Sequence, residues 1–172
     1  MSKPTIMKII TAGEGGVGKT TLLRRYVEGK FSEKTKITIG VEFFLKELNI
    51  DGKLVAIQLW DFGGQERFRF LLKGYVIGAK GALLMFDLTR PSTLNNLGEW
   101  VNICRSTNPN LPILFLGTKI DLVDEPSIPD DYIDELKKKF NLFDFLKISS
   151  KTGENIDFAF ELLTREVLKK MR

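Results

Sequence analysis

Histidine is absent from this chain of 172 residues, and Cys104 is its one cysteine. A chain of this composition cannot close an internal disulfide, bind zinc through cysteine and histidine, or use an imidazole in catalysis. Cys104 shares one helical face with Leu97, Trp100 and Val101, which predicts a packing role and not a reactive thiol. Its chemistry must therefore come from carboxylates, hydroxyls, cationic side chains and the backbone.

Long apolar runs are also missing. No segment approaches the roughly 20 apolar residues of a membrane-spanning helix. The first residues, Met-Ser-Lys-Pro, lack the apolar region of a signal peptide, and Ser2 stands where myristoylation requires glycine. We therefore expect a cytoplasmic protein.

Charge of one sign is not concentrated in any long tract. The net charge is +4 and the isoelectric point is about 9.1. Lysine and arginine are scattered, and their longest run, residues 137–139, lies in a predicted helix. This distribution favours a solvated surface over a nucleic-acid site.

Apolar runs with strand character alternate with segments of helical periodicity. The predicted strands are residues 7–12, 41–50, 53–60, 82–88, 113–117 and 143–148, and the predicted helices are residues 19–28, 93–107 after a Ser92 cap, 130–140 and 155–171. Asp51-Gly52 is a strong hairpin signal. The pattern predicts an α/β fold with a six-stranded, mostly parallel sheet, one antiparallel edge strand and helices on both faces. Residues 1–172 are predicted to form a single domain.

A glycine-rich loop follows the first strand. From Gly13 to Thr20 the sequence fits G-x-x-x-x-G-K-[ST] at every fixed position. Glycine lets backbone N–H groups turn inward around phosphate oxygens, Lys19 would reach the β- and γ-phosphates, and Thr20 would ligate Mg2+. The loop predicts a nucleoside triphosphate site but does not choose between ATP and GTP. Its predicted nucleotide-binding residues are Glu14, Gly15, Gly16, Val17, Gly18, Lys19, Thr20 and Thr21.

Two further segments carry candidates for the magnesium ion and the γ-phosphate. Asp61 closes the third predicted strand, where a carboxylate can hold Mg2+, and it opens a glycine-containing turn. In that turn Gly64 can offer its N–H to the γ-phosphate, and Gln65 can orient the attacking water. Thr38 lies on a loop from which its hydroxyl can reach Mg2+ while the γ-phosphate is present.

The fifth predicted strand runs into a candidate base-reading site, Thr118-Lys119-Ile120-Asp121. One carboxylate can accept from both N1–H and the exocyclic amino group of guanine, and we assign this role to Asp121. Adenine offers no such donor pair. A site that requires these hydrogen bonds can discriminate guanine from adenine by roughly 10^4-fold or more. Lys119 would lie along the base. After the sixth strand come Ser149, Ser150 and Lys151, where the Ser150 N–H can reach guanine O6.

These motifs, in their order along the chain, resemble those of the Ras superfamily of small GTPases, and segments 38–43 and 60–69 look most like the Rab branch. The resemblance covers essentially the whole chain. It implies a three-layer P-loop GTPase fold, GTP or GDP with Mg2+ as ligands, and a molecular switch in a trafficking or signalling role. Phe31 falls where the family places an aromatic ring against guanine, and the three aromatic positions that Rab proteins show to effectors are Phe43, Trp60 and Tyr75.

The resemblance also implies protein partners. Effectors, exchange factors and GTPase-activating proteins would bind through the residues from Thr35 to Phe43, through Trp60, and through the residues from Phe62 to Tyr75. The family-like state is a monomer. The chain ends at Met171-Arg172 without the prenylated cysteines of Rab tails, which indicates a truncated or an unlipidated protein, as in some prokaryotic relatives. We expect no stable membrane anchor in this chain, and contact with membranes only through partners.

Other positions depart from the family pattern. Thr118 stands where asparagine is usual, which is expected to alter guanine affinity, and Ser150 replaces a common alanine. Phe62-Gly63 replaces a Thr-Ala pair in the second switch. Thr35 stands where a tyrosine often covers the nucleotide, which leaves the site more open.

The predicted reaction is in-line attack of water on the γ-phosphate, with Gln65 orienting the water and Lys19 stabilising charge. No arginine lies near Thr38 in the sequence, so intrinsic turnover should be slow, on the order of 10^-4 to 10^-3 per second. Three other interpretations remain open. They are an ATP-dependent P-loop kinase or ATPase, a non-hydrolysing module that holds guanine nucleotide, and an RNA-associated GTPase.

Overall fold

A computed structural model describes residues 3–32, 41–62 and 70–171 of the chain. Within these ranges the strands are β1 (Thr5–Ala12), β2 (Val41–Ile50), β3 (Lys53–Phe62), β4 (Ala79–Asp87), β5 (Ile113–Thr118) and β6 (Asp144–Lys147). The helices are α1 (Lys19–Glu28), α2 (Leu72–Tyr75), α3 (Leu97–Cys104), α4 (Asp130–Lys139) and α5 (Ile156–Lys170), with 3-10 turns at Pro91–Leu94 and Ile120–Leu122.

The strands form one sheet in the order β2-β3-β1-β4-β5-β6. All neighbours are parallel except β2 and β3, which pair antiparallel from Val41 opposite Phe62 to Ile50 opposite Lys53. Asp51 and Gly52 turn the hairpin with φ values of 52° and 84°, the left-handed pair that a tight two-residue turn requires. The predicted sheet, with its one antiparallel edge strand, is confirmed.

Helices cover both faces of the sheet, also as predicted. On one face Leu72 of α2, Trp100 of α3 and Ile133 of α4 pack on β4 and β5. On the other face Leu22 of α1 and Phe160 of α5 pack on β1 and β3. Within the residues that the structure describes, every helix falls short of the length and apolar character that a bilayer crossing demands. Cys104 is buried in the first core as expected, and burial raises the pKa of its thiol to about 12.

The third helix differs most from its prediction. The prediction of a helix over residues 93–107 with Ser92 as its cap was wrong. The chain forms a 3-10 turn at Pro91–Leu94, and α3 begins only at Leu97. The Thr93 hydroxyl accepts from the Asp87 N–H at 2.9 Å and donates to the Arg90 carbonyl at 2.8 Å. Such local bonds offer the backbone an alternative to the α-helix. The one-turn helix α2 was not predicted, since four residues are too few to show a helical period.

Candidate nucleotide-binding site

The phosphate loop joins β1 to α1 at the carboxyl edge of the sheet. Gly13, Gly16 and Gly18 have φ values of 142°, 78° and 101°, which side-chain-bearing residues rarely adopt. A Cβ on Gly13 would lie 2.3 Å from the carbonyl oxygen of Met85 on β4. Glycine is therefore required at Gly13 by the neighbouring strand as well as by the loop itself.

Lys19 lies across the mouth of this loop. Its side chain is buried, and Nζ donates to the carbonyls of Gly13 at 2.8 Å and Glu14 at 2.9 Å. Nζ also lies 6.0 Å from the centroid of the Trp100 ring. A buried ammonium held by backbone carbonyls is a fixed positive charge at the place where the motif predicts phosphate.

Thr20 and Asp61 bring two oxygen groups together beside the loop. The Thr20 hydroxyl donates to the Asp61 carboxylate, and Thr11 donates to the Trp60 carbonyl at 3.2 Å and lies 3.4 Å from the same carboxylate. Burial raises the pKa of Asp61, against the hydrogen bond from Thr20 and the charge of Lys19. A hydroxyl and a carboxylate side by side are oxygen donors of the kind that Mg2+ selects, and they suit a site completed by phosphates and water.

Thr118 and Lys119 connect the end of β5 to the phosphate loop. The Thr118 hydroxyl lies 2.7 Å from the Val17 carbonyl and 3.0 Å from the Phe86 carbonyl, and it is almost completely buried. Lys119 has a left-handed backbone, with φ of 65°, and its Nζ donates to the Gly16 carbonyl at 3.0 Å. The predicted base-reading segment and the phosphate loop are thus parts of one hydrogen-bonded unit.

Asp121 lies at the surface beyond Lys119. Its Oδ1 accepts from the hydroxyl of Ser149 at 2.8 Å, and Ser149 itself is completely buried. The Ile120 N–H donates to the Ile148 carbonyl at 3.1 Å, which joins the ends of β5 and β6. Ser149 therefore fixes one oxygen of the predicted guanine-reading carboxylate.

The remaining predicted residues are distributed around this edge. Thr21 is half-buried in α1, Phe31 is exposed beyond α1, and Ser150 and Lys151 lie in the turn between β6 and α5. Thr35, Thr38, Gly64 and Gln65, by contrast, lie outside the described residues, so their predicted roles stay predictions.

The three aromatic residues predicted to face effectors lie next to one another. The rings of Phe43 and Trp60 are 5.4 Å apart, and those of Trp60 and Tyr75 are 5.9 Å apart. Phe43 is 51% exposed and Tyr75 is 38% exposed. These three residues therefore form an accessible aromatic patch.

Sequence reasoning missed Asp87, at the carboxyl end of β4. Its buried carboxylate accepts from Lys119 at 2.8 Å, from Arg90 Nε at 3.1 Å and from the Thr89 hydroxyl at 2.6 Å. Burial opposes the charge, but the bonds from Lys119, Thr89 and Arg90 prevail and hold the pKa of Asp87 below its usual range. The signal was the one used for Asp61, a carboxylate that ends a buried strand.

The sequence also did not predict the contacts of the Glu14 side chain. Its Oε1 accepts from Asn96 Nδ2 at 3.0 Å and from Trp100 Nε1 at 3.1 Å. The carboxylate thus ties the phosphate loop to α3. Glu14 would contribute to phosphate binding through its backbone.

Three features of this edge of the sheet define a P-loop nucleotide-binding protein. They are a glycine-rich loop before a helix, a buried lysine across that loop, and a hydroxyl–carboxylate pair at the ends of the parallel strands. Comparison with protein families matches residues 8–169 to the Ras family. The chain therefore belongs to the Ras family, as a Rab-like small GTPase.

Curated relatives agree with this assignment. The chain is 39% identical over 162 residues to the Ras-related protein Rab11E of Lotus japonicus, covering 93% of this chain and 74% of the relative. It is 39% identical over 163 residues to the Ras-related protein RABA4a of Arabidopsis thaliana, covering 94% and 72%. It is 38% identical over 167 residues to the human Ras-related protein Rab-4B, covering 96% and 78%.

Proposed function

We propose that this GTPase is a guanine-nucleotide switch that binds GTP and GDP with Mg2+, hydrolyses GTP slowly, and serves a Rab-like trafficking or signalling role. The observation that carries the proposal is the position of Asp121. Its carboxylate is held by buried Ser149, two residues beyond the lysine that contacts the phosphate loop. One short segment can thus engage the base and support the phosphate loop.

Guanine selectivity follows from the donors that the base offers. N1–H and the exocyclic amino group can both donate to Asp121, whereas adenine would leave this carboxylate without a matching donor. A titration with GDP, a GTP analogue, ADP and an ATP analogue tests this, with Asp121→Ala beside the wild type. We expect guanine nucleotides alone to bind tightly, with a loss of roughly 100-fold or more in the variant. Asp124→Ala, which removes an exposed carboxylate three residues away, is the matched control. Equal binding of adenine nucleotides would refute the assignment.

The hydrolytic step is attack of water on the γ-phosphate in line with the bond to the β-phosphate. Gln65 orients the water, while Lys19 and the loop amides stabilise the charge that develops on the phosphate oxygens. Thr20, Thr38 and Asp61 would hold Mg2+, which supplies electrostatic stabilisation when bound. Without a further cation in line, turnover is expected on the order of 10^-4 to 10^-3 per second, and an activating protein would raise it.

Replacing Gln65 with leucine tests this mechanism. We expect Gln65→Leu to lose most single-turnover hydrolysis of bound GTP and to retain GTP affinity. Unchanged turnover would refute the role of Gln65. Absence of turnover in the wild-type protein would instead favour the non-hydrolysing guanine-nucleotide module.

The switch depends on contacts that only the triphosphate can make. Thr38 and Gly64 would hold their segments to the γ-phosphate and release them after hydrolysis. Effectors, exchange factors and activating proteins would read these segments together with the Phe43, Trp60 and Tyr75 patch. We expect the chain to act as a monomer in the cytoplasm and to reach membranes through partners. Identical hydrogen exchange of residues 31–43 and 62–75 with GDP and with a GTP analogue would refute the switch.

A further inference from the structure

Every backbone carbonyl of the phosphate loop from Gly13 to Gly18 has a hydrogen-bond donor. The Leu22 N–H bonds the last of them, as in an ordinary helix. The donors to the other carbonyls are Lys19 for Gly13 and Glu14, Arg90 for Gly15, Lys119 for Gly16 and Thr118 for Val17. Lys19, Lys119 and Thr118 belong to the predicted nucleotide-binding motifs. Arg90 belongs to none of them.

Arg90 is anchored on one side and engaged on the other. Its Nε donates to Oδ2 of Asp87 at 3.1 Å, and that carboxylate is 1% exposed. Its Nη2 donates to the Gly15 carbonyl at 3.2 Å and would lie 3.1 Å from a Cβ placed on Gly16. The guanidinium therefore lies directly against the Gly15–Gly16 peptide.

The position of one carbonyl determines the direction of the next amide. In a trans peptide the C=O of one residue and the N–H of the following residue point in opposite directions. The bond from Arg90 holds the Gly15 carbonyl on the side of the guanidinium, so the Gly16 N–H points to the opposite side. Because both residues are glycine, this peptide would otherwise reorient at little steric cost.

We propose that Arg90 is a positioning residue for nucleotide binding, which holds the Gly15–Gly16 peptide so that its amide faces the phosphates. The inference rests on the proposed function and deepens it. A donor fixed before the ligand arrives binds an anion more tightly than one that must be ordered on binding. Arg90 thereby prolongs the residence of bound nucleotide without contacting it. A lysine in this place would have to reach both acceptors from a single nitrogen, whereas the planar guanidinium presents Nε to Asp87 and Nη2 to Gly15.

The test compares four variants loaded with a fluorescent GDP and chased with excess GDP in the presence of Mg2+. We expect Arg90→Ala to release the nucleotide about tenfold faster, the effect of one lost hydrogen bond from a charged donor. Arg90→Lys should fall between it and the wild type. The Gly16 amide should show a shifted nitrogen resonance and faster exchange in Arg90→Ala.

Two arginines serve as matched controls. Arg105 also donates to backbone carbonyls, those of Leu111 and Asn141 among them, but far from the loop. Arg165 pairs with exposed carboxylates near the other end of the sheet. We expect Arg105→Ala to lower the thermal midpoint, and both control variants to keep the wild-type release rate within about twofold.

The outcomes distinguish failure of the proposed function from failure of the role of Arg90. If the wild type retains no guanine nucleotide, the proposed function fails. If the wild type retains it and Arg90→Ala releases it at the same rate, the inference about Arg90 alone is overturned. Slower hydrolysis in Arg90→Ala with unchanged release would also overturn it, because that result assigns Arg90 a direct contact with the γ-phosphate.

Discussion

The two ends of the sheet treat polar side chains in opposite ways. At the carboxyl end, where the phosphate loop lies, seven buried polar residues have hydrogen-bond or ion-pair partners: Thr11, Lys19, Asp61, Asp87, Thr93, Thr118 and Ser149. At the amino end, Arg165 bridges Asp51 of the hairpin turn and Glu161 of α5, and all three side chains are at least 40% exposed.

The same pairing of guanidinium and carboxylate has different consequences at the two ends. A buried carboxylate must be fully bonded, because an unpaired charge away from water is costly. Asp87, with its partners Thr89, Arg90 and Lys119, therefore fixes the geometry of the loops around it. The exposed pairs of Arg165 exchange freely with water and contribute little. Polar burial is concentrated where the ligand is expected.

The largest expected effect comes from adding one carbon at the carboxyl end. Gly13→Ala would place Cβ 2.3 Å from the Met85 carbonyl, at a φ of 142°. Two backbone segments cannot both give way, so the strain should cost about 3 to 5 kcal/mol. Gly52→Ala is the matched control at the amino end, where φ is also positive but no described atom lies within 4 Å, and about 1 kcal/mol is expected. Urea unfolding measures both, and equal losses would contradict the comparison.

Asp87→Asn should have the next largest effect. The amide keeps the shape but leaves Lys119 and Arg90 without their shared counter-charge, which should cost about 2 kcal/mol near neutral pH. Folding holds the pKa of Asp87 below its usual range. The stabilisation by the ionised carboxylate is therefore fully present above the ordinary pKa of aspartate, about 4. It is lost as the pH falls through the folded pKa. Urea unfolding at several pH values should show the free energies of unfolding of the wild type and Asp87→Asn converging in acid. A difference that stays constant with pH would contradict this account.

Glu14 should have a smaller effect. Glu14→Ala removes an acceptor from the indole N–H of buried Trp100, at an expected cost of about 1 to 2 kcal/mol. Glu14→Gln retains a carbonyl acceptor and should recover most of the loss. The urea midpoints of the two variants distinguish these causes. An equal loss in both would assign the effect to the charge of Glu14 and not to its bond with Trp100.

Arg165→Ala should have the smallest effect. Its ion pairs at the amino end are exposed, so we expect no resolvable change in the urea midpoint, either in dilute buffer or in about 1 M salt, where charges are screened within about 3 Å. A marked, salt-sensitive loss would show that the two ends differ less than their burial indicates.

Local signals predicted much of the fold. Buried strands such as β4 and β5 appear as apolar runs, and Asp51-Gly52 specifies its hairpin. The turn before α3 escaped prediction, because the Thr93 hydroxyl competes with the helix only once Asp87 and Arg90 are in place. The phosphate and base motifs are each contiguous in the sequence, so they predicted a nucleotide site at the carboxyl ends of the strands, where their described residues lie. The contact of Arg90 with Gly15 left no trace in the sequence, since it joins residues 75 positions apart.

That separation matters while the chain is being made. The phosphate loop is translated early, yet its supports at Met85, Arg90 and Lys119 come much later, up to 103 positions from the loop residue that they contact. On a ribosome that adds about 5 to 20 residues per second, the loop emerges seconds before β4 and β5 exist to shape it. A nascent chain arrested before Lys119 has emerged should hold no nucleotide. Nucleotide capture would therefore be a late event in biosynthesis, which requires that the central strands have assembled.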